Sequence, residues 1–297
     1  MLPTAGRVVI IINPTSGGAS PAAARARIEV AQTAGSSRGD SADVLVTERV
    51  GHARELAQSA IQSGARLVMA WGGDGTINEV ASALAFSAVP LGIIPAGSGN
   101  GLARELGVDP RPAQAIADAL AAQPRSIDVG ELDGHWFFNV AGIGLDAHVA
   151  HQFAGRHRRG LAGYVAVTTK ALATYTTRRY RISCNGVTTE HQAVLVSLAN
   201  SAQFGNGARI APHAKLDDGL LDLVIVEERS RIATVCRLPR LFTGTIHRAR
   251  GCTTQPVTTV RFESDQPMRF HVDGEPCQGG TVLQGRVHAG ALRLAVK

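Results

Sequence analysis

The sequence predicts two parts of different fold class, a doubly wound parallel α/β domain at residues 1–125 and an antiparallel β domain at residues 126–297. In the first part, apolar runs typical of strands alternate with amphipathic helical stretches, which is the order of parallel βαβ units. In the second part, short strands separated by turn signals dominate. Whether the last strands of the second part pack back on the first domain is left open.

The expected elements of the first part alternate between strand and helix. The run at 7–12 is rich in β-branched residues, which favours a buried strand. The stretch at 51–63 carries apolar residues at helical spacing, namely Ala53, Leu56, Ala57, Ala60 and Ile61. The expected order is strand 7–12, helix 21–33, strand 43–47, helix 51–63, strand 66–71, helix 76–87, strand 90–94 and a helix from Asn100.

The sequence pattern of the second part predicts a series of strands interrupted by two helices, at 160–175 and 231–244. The strands are expected at 126–132, 135–141, 180–184, 193–199, 220–226, 257–262, 268–272, 281–287 and 291–296. Such short strands separated by turn signals are typical of an antiparallel β domain.

The composition of the chain argues against several classes of protein. Aromatic residues make up only 4% of the chain, which argues against a stacking platform for single-stranded nucleic acid. The 4 cysteines contain no C-x-x-C pair, which disfavours a zinc cage or redox motif. No apolar stretch reaches the roughly 20 residues that a membrane-spanning helix needs, so a soluble protein is expected.

Charge is unevenly distributed between the two halves. Residues 1–150 carry 10 Arg and 14 acidic residues, whereas residues 151–297 carry 20 basic and 10 acidic residues. The first half is therefore net acidic and the second net basic. A basic surface can attract an anionic membrane.

Three glycine-rich turns follow three of the predicted strands. Their sequences are Asn-Pro-Thr-Ser-Gly-Gly at 13–18, Gly-Gly-Asp-Gly-Thr at 72–76 and Gly-Ser-Gly-Asn at 97–100. Because the carboxyl ends of parallel strands meet at one edge of a sheet, the three turns are expected to lie together. Glycine lets the backbone approach a phosphate closely, and a following helix supplies free N–H groups. The turns therefore predict phosphate binding, with Asp74, Thr76, Ser98 and Asn100 as their polar side chains.

Other nucleotide-binding motifs do not fit. The chain has no G-x-x-x-x-G-K-[ST] segment and no His-Arg-Asp loop, which excludes P-loop enzymes and the protein-kinase fold. Residues 142–147 match G-x-G-x-x-A, but no acidic residue occurs between Asp146 and Glu190 to bind a ribose. That match is therefore not interpreted as a dinucleotide site.

The sequence Gly-Gly-Asp-Gly-Thr-Ile-Asn-Glu-Val at 72–80, followed by Pro-Ala-Gly-Ser-Gly-Asn at 95–100, resembles the diacylglycerol kinase/sphingosine kinase family of lipid kinases. The soluble bacterial members are the most similar. Segments 13–17, 139–146, 160–164, 218–221 and 273–275 also fit, so the resemblance covers nearly the whole chain. The Gly-Gly-Asp-Gly-Thr element alone is shared with NAD kinases and 6-phosphofructokinases, whereas the full set in this order is specific to the lipid kinases. The resemblance implies an NAD kinase/phosphofructokinase-like catalytic domain followed by a β-sandwich domain for the lipid substrate.

The resemblance also implies site residues, position by position. It assigns catalysis to Asp74, Glu275 and Asp273, and leaves open whether Asp74 or Glu275 is the base. It implies that the substrate meets Asp146 and Glu79. ATP binding is assigned to Asn13, Thr47, Gly72, Gly73, Asp74, Gly75, Thr76, Gly97, Ser98 and Asn100.

A magnesium site is implied at a tight turn of the second part. Its ligands would be the carbonyl groups of Lys215 and Leu220 and the carboxylate of Asp218, and such hard oxygen ligands suit this ion. At one position the chain departs from the family pattern. Many diacylglycerol kinases carry Asp directly after the Asn of the third turn, where this chain has Gly101.

The function expected from these features is ATP- and magnesium-dependent transfer of the γ-phosphate to a lipid hydroxyl. Diacylglycerol is the first candidate acceptor and a sphingoid or ceramide-like lipid the second. Two alternatives stay open, a kinase of a soluble acceptor such as NAD and a non-catalytic nucleotide or lipid sensor.

The expected partner is a lipid substrate at an anionic membrane surface, met through the basic stretches at 156–159 and 231–250. No nucleic acid partner and no transmembrane segment are expected, and a homodimer is left open. The expected location is cytoplasmic, peripheral at the inner membrane surface.

Overall fold

A computed structural model describes residues 6–35, 41–153, 175–205, 207–229, 237 and 239–297. Its contacts define two compact units, Met1–Ile127 with Gly290–Lys297, and Asp128–Ala289. The basic stretch expected at 156–159 and the helix expected at 160–175 lie outside the described residues, apart from Tyr175. Most of the helix expected at 231–244 also lies outside them, and its described part includes a short helix, Pro239–Phe242.

The first unit is a parallel sheet with helices between its strands. Strand β1 lies between β2 and β3, and β4 follows β3, with every pair parallel. Near the end of the chain, Leu294 pairs in parallel with Leu91 of this sheet. The elements are β1 (Arg7–Ile12), α1 (Pro21–Gly35), β2 (Ser41–Val46), α2 (His52–Gln62), β3 (Leu67–Gly72), α3 (Asp74–Leu84), β4 (Leu91–Pro95), α4 (Gly101–Glu105) and α5 (Pro112–Ala121), with a 3₁₀ turn at Ser16–Gly18.

Both faces of this sheet are buried. Val8, Ile10 and Ile12 belong to one core cluster with residues of α1 and α5, and the alternate residues Val9 and Ile11 are also fully buried. Because successive side chains of a strand point to opposite faces, helices must cover both sides. Helix α1 contacts α5, and α2 contacts α3. The doubly wound fold predicted for the first part is confirmed.

Two helices of the first unit differ from the sequence prediction. Helix α3 begins at Asp74, directly after the glycine pair, rather than at Thr76. The single helix expected from Asn100 is divided into α4 and α5. Gly107 adopts a positive φ of 68° after α4, and Pro112 opens the first turn of α5, where a missing N–H costs nothing.

The second unit is built of antiparallel strands. Strand β9 is its centre, pairing with β7, β8 and β12, while β15 pairs with β7 and β16. The elements of this part of the chain are β5 (Arg125–Leu132), β6 (His135–Phe137), β7 (Val140–Gly144), α6 (Leu145–Phe153), β8 (Arg178–Cys184), β9 (Val187–Ala199), β10 (Gln203–Gly205), β11 (Ala208–Arg209), β12 (Leu221–Glu227), α7 (Pro239–Phe242), β13 (Cys252–Val257), β14 (Thr259–Glu263), β15 (Arg269–Val272), β16 (Glu275–Gln278) and β17 (Val282–Leu294), with a 3₁₀ turn at Ile246–Arg248.

Several strand boundaries of the second unit differ from expectation. The strand expected at 135–141 is two strands, β6 and β7, and that at 257–262 is divided between β13 and β14. Strands expected at 281–287 and 291–296 form one long strand, β17, in which Gly290 takes a positive φ of 62°. Helix α6 was not predicted from the sequence, although Asp146 at its start was a candidate site residue.

No helix in the described part of the chain has the length and hydropathy that crossing a bilayer requires.

Candidate active site

The three glycine-rich turns of the first unit lie in contact with one another. A Cβ atom on Gly17 would lie 2.5 Å from the carbonyl oxygen of Ala96, and one on Gly97 would lie 2.7 Å from the Cα of Gly73. Glycine at these positions therefore allows one turn to pack directly on the next. The predicted clustering of the turns at one edge of the sheet is confirmed.

Asp74 joins the second turn to the third. Its Oδ1 accepts a hydrogen bond from the backbone N of Gly101 at 2.7 Å, and its Oδ2 accepts one from the backbone N of Asn100 at 2.9 Å. Burial raises the pKa of Asp74, while the hydrogen bonds from Gly101 and Asn100 lower it in part. Both oxygens of this carboxylate therefore organise the turn that precedes α4.

Asn100 closes the third turn on itself. It adopts a positive φ of 51°, which asparagine tolerates better than most residues. Its Oδ1 accepts a hydrogen bond from the Gly97 N–H at 2.8 Å, and its Nδ2 donates to the Gly97 carbonyl at 2.8 Å. Ser98 lies between them with an exposed side chain.

Asn13 ties the first turn to α3. Its Nδ2 donates to the hydroxyl of Thr76 at 2.9 Å, and its carbonyl oxygen accepts a bond from Arg27 at 3.1 Å. Arg27 also donates to the carbonyl of Ser16 at 2.9 Å, so α1 holds this turn in place. Sequence reasoning did not find Arg27. The Thr47 N–H donates to the carbonyl of Ile12 at 2.9 Å, which places Thr47 at the same strand ends.

Both carboxylate oxygens of Glu79 bond to the start of α2. Its Oε1 accepts a hydrogen bond from the Gly51 N–H at 2.9 Å, and its Oε2 accepts one from the Ala53 N–H at 3.1 Å. The first N–H groups of a helix lack intrahelical partners, and a carboxylate satisfies them well. This is the bonding of a residue that caps α2, and a contact between Glu79 and the substrate stays a prediction.

In the second unit, Asp273 and Gly274 form the two-residue turn between β15 and β16. Both take positive φ values, 48° and 86°, as a type I′ hairpin turn requires. The Asp273 carboxylate accepts three backbone hydrogen bonds, from Phe138 and Asn139 at 2.9 Å each and from Val140 at 3.1 Å. Asp273 therefore anchors the segment at 138–140 to the hairpin turn, and its catalytic role stays a prediction.

Glu275 follows this turn as the first residue of β16 and is exposed. Its carboxylate makes no hydrogen bond or ion pair within the described part of the chain. It is therefore open to a ligand, unlike the carboxylates of Asp74 and Asp273.

Asp146 lies at the start of α6 and is almost completely buried. Its Oδ1 accepts a hydrogen bond from the Ala147 N–H at 2.8 Å. Its Oδ2 lies 3.3 Å from the hydroxyl of Ser197 and 3.1 Å from Nε2 of His271, which is also buried. The sequence pattern gave no signal for His271, because its partners lie on other elements.

The turn that carries the expected metal ligands is held by Asp128. The buried Asp128 carboxylate accepts a hydrogen bond from the Gly219 N–H at 2.7 Å, and the Asp128 N–H donates to the Leu216 carbonyl at 2.6 Å. Asp218 Oδ1 accepts the Leu220 N–H at 3.1 Å. In the part of the chain that the structure covers, no three His, Cys, Asp or Glu side chains gather as a metal site, so a cation here would need backbone carbonyl ligands.

The fold and these turns define an α/β protein with glycine-rich turns clustered at one edge of its parallel sheet and an antiparallel β unit attached. Comparison with known families agrees. Residues 7–132 match the diacylglycerol kinase catalytic domain, and residues 139–296 match the YegS C-terminal NAD kinase beta sandwich-like domain.

Individual relatives carry corresponding names. A "probable lipid kinase YegS-like" protein of Chromohalobacter salexigens is 33% identical over 240 residues, which cover 79% of this chain and 77% of the relative. A diacylglycerol kinase of Mycobacterium tuberculosis is 32% identical over 287 residues, covering 91% and 89% of the two chains. The crystal structure of a diacylglycerol kinase from Bacillus anthracis superposes with a TM-score of 0.74 at 22% identity, covering 98% and 97%, and shows the same fold.

The chain belongs to the YegS-like and diacylglycerol kinase family of lipid kinases. The family resemblance and the β-sandwich expected from the sequence are confirmed. Membership of a kinase family implies the use of ATP.

Proposed function

We propose that this protein transfers the γ-phosphate of ATP to the hydroxyl of a lipid alcohol, with diacylglycerol as its first acceptor and a sphingoid or ceramide-like lipid as the second. The observation that carries the proposal is the set of three interlocked glycine turns in a chain of the lipid kinase family. A relative named diacylglycerol kinase, similar over 91% of this chain, supports the choice of first acceptor.

The first unit is the proposed ATP site. Phosphate oxygens would accept hydrogen bonds from the N–H groups in the first turn of α3, near Gly75 and Thr76, which lack intrahelical partners. The clustering of Asn13, Thr47 and Gly97 at the same strand ends, with the exposed Ser98, supports their proposed contact with the nucleotide.

Glu275 is the proposed proton acceptor for the lipid hydroxyl. A general base must be able to reach the proton that it removes, and the Glu275 carboxylate is exposed and has no partner in the described structure. Asp74 is proposed to act indirectly, by holding the third turn through Asn100 and Gly101. Asp146 is the proposed contact for the substrate head group.

Magnesium is proposed to bind the turn at 215–220. The available donors are oxygen atoms, from the carbonyl groups of Lys215 and Leu220 and the carboxylate of Asp218, and oxygen donors suit Mg²⁺. Asp128 fixes this turn from within the second unit. When bound, the ion would neutralise charge on the phosphate groups.

A basic patch is the proposed contact with the membrane. We define it by the exposed side chains of Arg209, Arg240, Phe242, Arg248 and Arg250. The aliphatic part of the Arg209 side chain lies near Gly244, so β11 lies beside the 239–250 segment. No acidic residue occurs between Glu228 and Glu263, and the Phe242 side chain is 49% exposed. Cationic groups around an exposed aromatic ring suit an anionic bilayer surface.

The proposed function is tested by incubating the protein with γ-labelled ATP, magnesium and a total lipid extract in mixed micelles. A labelled lipid, identified by chromatography, is the expected result. A chain that binds ATP but labels no lipid would contradict the proposal, and label on added NAD would identify a soluble acceptor instead.

A further inference from the structure

His271 is buried between Asp146, which the proposed function assigns to the acceptor, and the hairpin turn that precedes Glu275. On one side its Nε2 lies 3.1 Å from Oδ2 of Asp146. On the other side its Nδ1 accepts a hydrogen bond from the Gly274 N–H at 3.2 Å. Gly274 directly precedes Glu275. One imidazole ring thus spans the distance between the Asp146 carboxylate and the hairpin turn.

The two contacts define the protonation of the ring. Because Nδ1 accepts from a backbone N–H, it carries no proton, and the neutral ring holds its proton on Nε2. Nε2 therefore donates to Asp146. A neutral imidazole has one donor and one acceptor, and both are used, as a buried polar side chain requires.

Gly142, on the strand opposite His271, leaves the space in which Asp146 and His271 meet. His271 on β15 is the cross-strand partner of Gly142 on β7. A Cβ atom at Gly142 would overlap the Asp146 carboxylate and would lie 3.1 Å from Nε2 of His271. Glycine at this position is thus what lets Asp146 and His271 meet, which points to a built arrangement rather than to incidental packing.

We propose that His271 is a positioning residue that sets Asp146 and Glu275 relative to each other. This inference rests on the proposed function, which places the lipid head group at Asp146 and proton transfer at Glu275. The Nε2–H bond fixes the orientation of the Asp146 carboxylate. The Nδ1 bond fixes the Gly274 peptide, and with it the backbone from which Glu275 extends.

Two substitutions separate the two contacts. In His271→Asn, the side-chain oxygen is as many bonds from Cβ as Nδ1, so it can still accept from Gly274 but does not reach Asp146. In His271→Gln, the side-chain nitrogen is as many bonds from Cβ as Nε2, so it can still donate to Asp146 but leaves Gly274 without its acceptor. The control is His135→Asn on β6, whose ring packs edge-on against Phe270 of β15 and bonds to the Asp133 carbonyl, so it perturbs the same strand without touching either His271 contact.

With a water-dispersed diacylglycerol as the acceptor, we expect one substitution to change mainly KM and the other to change mainly kcat. We expect His271→Asn to raise KM about tenfold with little change in kcat, and His271→Gln to lower kcat about tenfold with little change in KM. The control should change neither. Equal losses in both variants, or no loss in either, would overturn the inference. A wild-type protein that phosphorylates no lipid would instead overturn the proposed function.

A measurement on the wild-type protein covers the case in which a variant does not fold. The ¹⁵N chemical shifts of the His271 ring, assigned by nuclear magnetic resonance, report which nitrogen is protonated. A proton on Nε2 and none on Nδ1 is the expected result. A proton on Nδ1 would contradict the contact with Gly274 and overturn the positioning role.

Discussion

Asp74 accepts a hydrogen bond from the backbone N–H of Gly101 at 2.7 Å. Many diacylglycerol kinases carry an aspartate at the position of Gly101, so this chain has one acid where the resemblance leads one to expect two. The remaining acid binds the backbone of the third turn. We interpret Asp74 as the residue that holds the second and third glycine-rich turns in one geometry.

Replacing Asp74 by Asn should weaken nucleotide binding. The amide has one acceptor oxygen where the carboxylate has two, so the N–H of either Asn100 or Gly101 would face a second donor. We expect the Kd for ATP, measured by calorimetry, to rise about tenfold or more, and turnover to fall with it. Asp109→Asn is the matched control, since Asp109 pairs with Arg111 instead of a glycine turn. Unchanged ATP affinity in Asp74→Asn would refute this role.

Glu275→Gln should remove catalysis without affecting the fold. The Glu275 side chain is exposed and has no partner in the described structure, so its amide analogue costs no contact. Losing a general base lowers kcat by roughly 10²–10⁴-fold, which a labelled-phosphate assay can resolve. The melting temperature should stay within error of the wild type. Retention of the wild-type kcat would exclude Glu275 as the proton acceptor.

Asp273→Asn should, in contrast, lower the stability of the fold rather than remove the catalytic step. The amide NH₂ of Asn would replace one of the two carboxylate oxygens, so at least one backbone N–H that now donates to Asp273 would face a second donor. We expect the free energy of unfolding to fall by about 1–3 kcal/mol. The measurement is urea unfolding followed by circular dichroism. A variant as stable as the wild type but devoid of activity would restore Asp273 to the catalytic groups.

Asp218→Asn should change the response to magnesium. If the turn at 215–220 holds the ion, the loss of its carboxylate charge should raise the magnesium concentration for half-maximal activity about tenfold or more. Asp265→Asn, an exposed acid in another loop of the same unit, is the control. An identical magnesium titration for wild type and Asp218→Asn would remove the metal from this turn.

Arg240→Glu and Arg248→Glu should weaken binding to vesicles that contain phosphatidylglycerol. Binding should also weaken as salt rises from about 50 to about 500 mM, since salt screens contacts between exposed charges. Arg179→Glu, on strand β8 and outside the patch, should bind like the wild type in a co-sedimentation assay. Salt-independent binding that neither substitution affects would exclude the basic patch as the membrane contact.

The fold of the first unit could be predicted because its signals are local. After Arg7, strand β1 is an uninterrupted run of β-branched residues, and α2 buries Ala53, Ala57 and Ala60 at helical spacing. Glycines mark the strand ends where backbones approach closely, so the clustering of the turns also followed from the sequence.

The roles of the acidic residues were harder to predict, because their partners are distant in sequence. Asp273 bonds to residues at 138–140, and Glu79 bonds to the start of α2. His271 meets Asp146 only because β15 pairs with β7. The residue pattern does not distinguish Asp273, Glu79 and His271, whose polar atoms are hydrogen-bonded within the protein, from Glu275, whose carboxylate is exposed.

The most direct test of the central claim compares acceptors side by side. The protein would be incubated with ATP labelled at the γ-phosphate, or separately at the α-phosphate, together with dioleoylglycerol, sphinganine or NAD. The account predicts that γ-label alone appears, and that it appears on dioleoylglycerol at the highest rate. Label on NAD only, or on no acceptor while ATP binds, would contradict the assignment of this chain as a kinase of lipid hydroxyl groups.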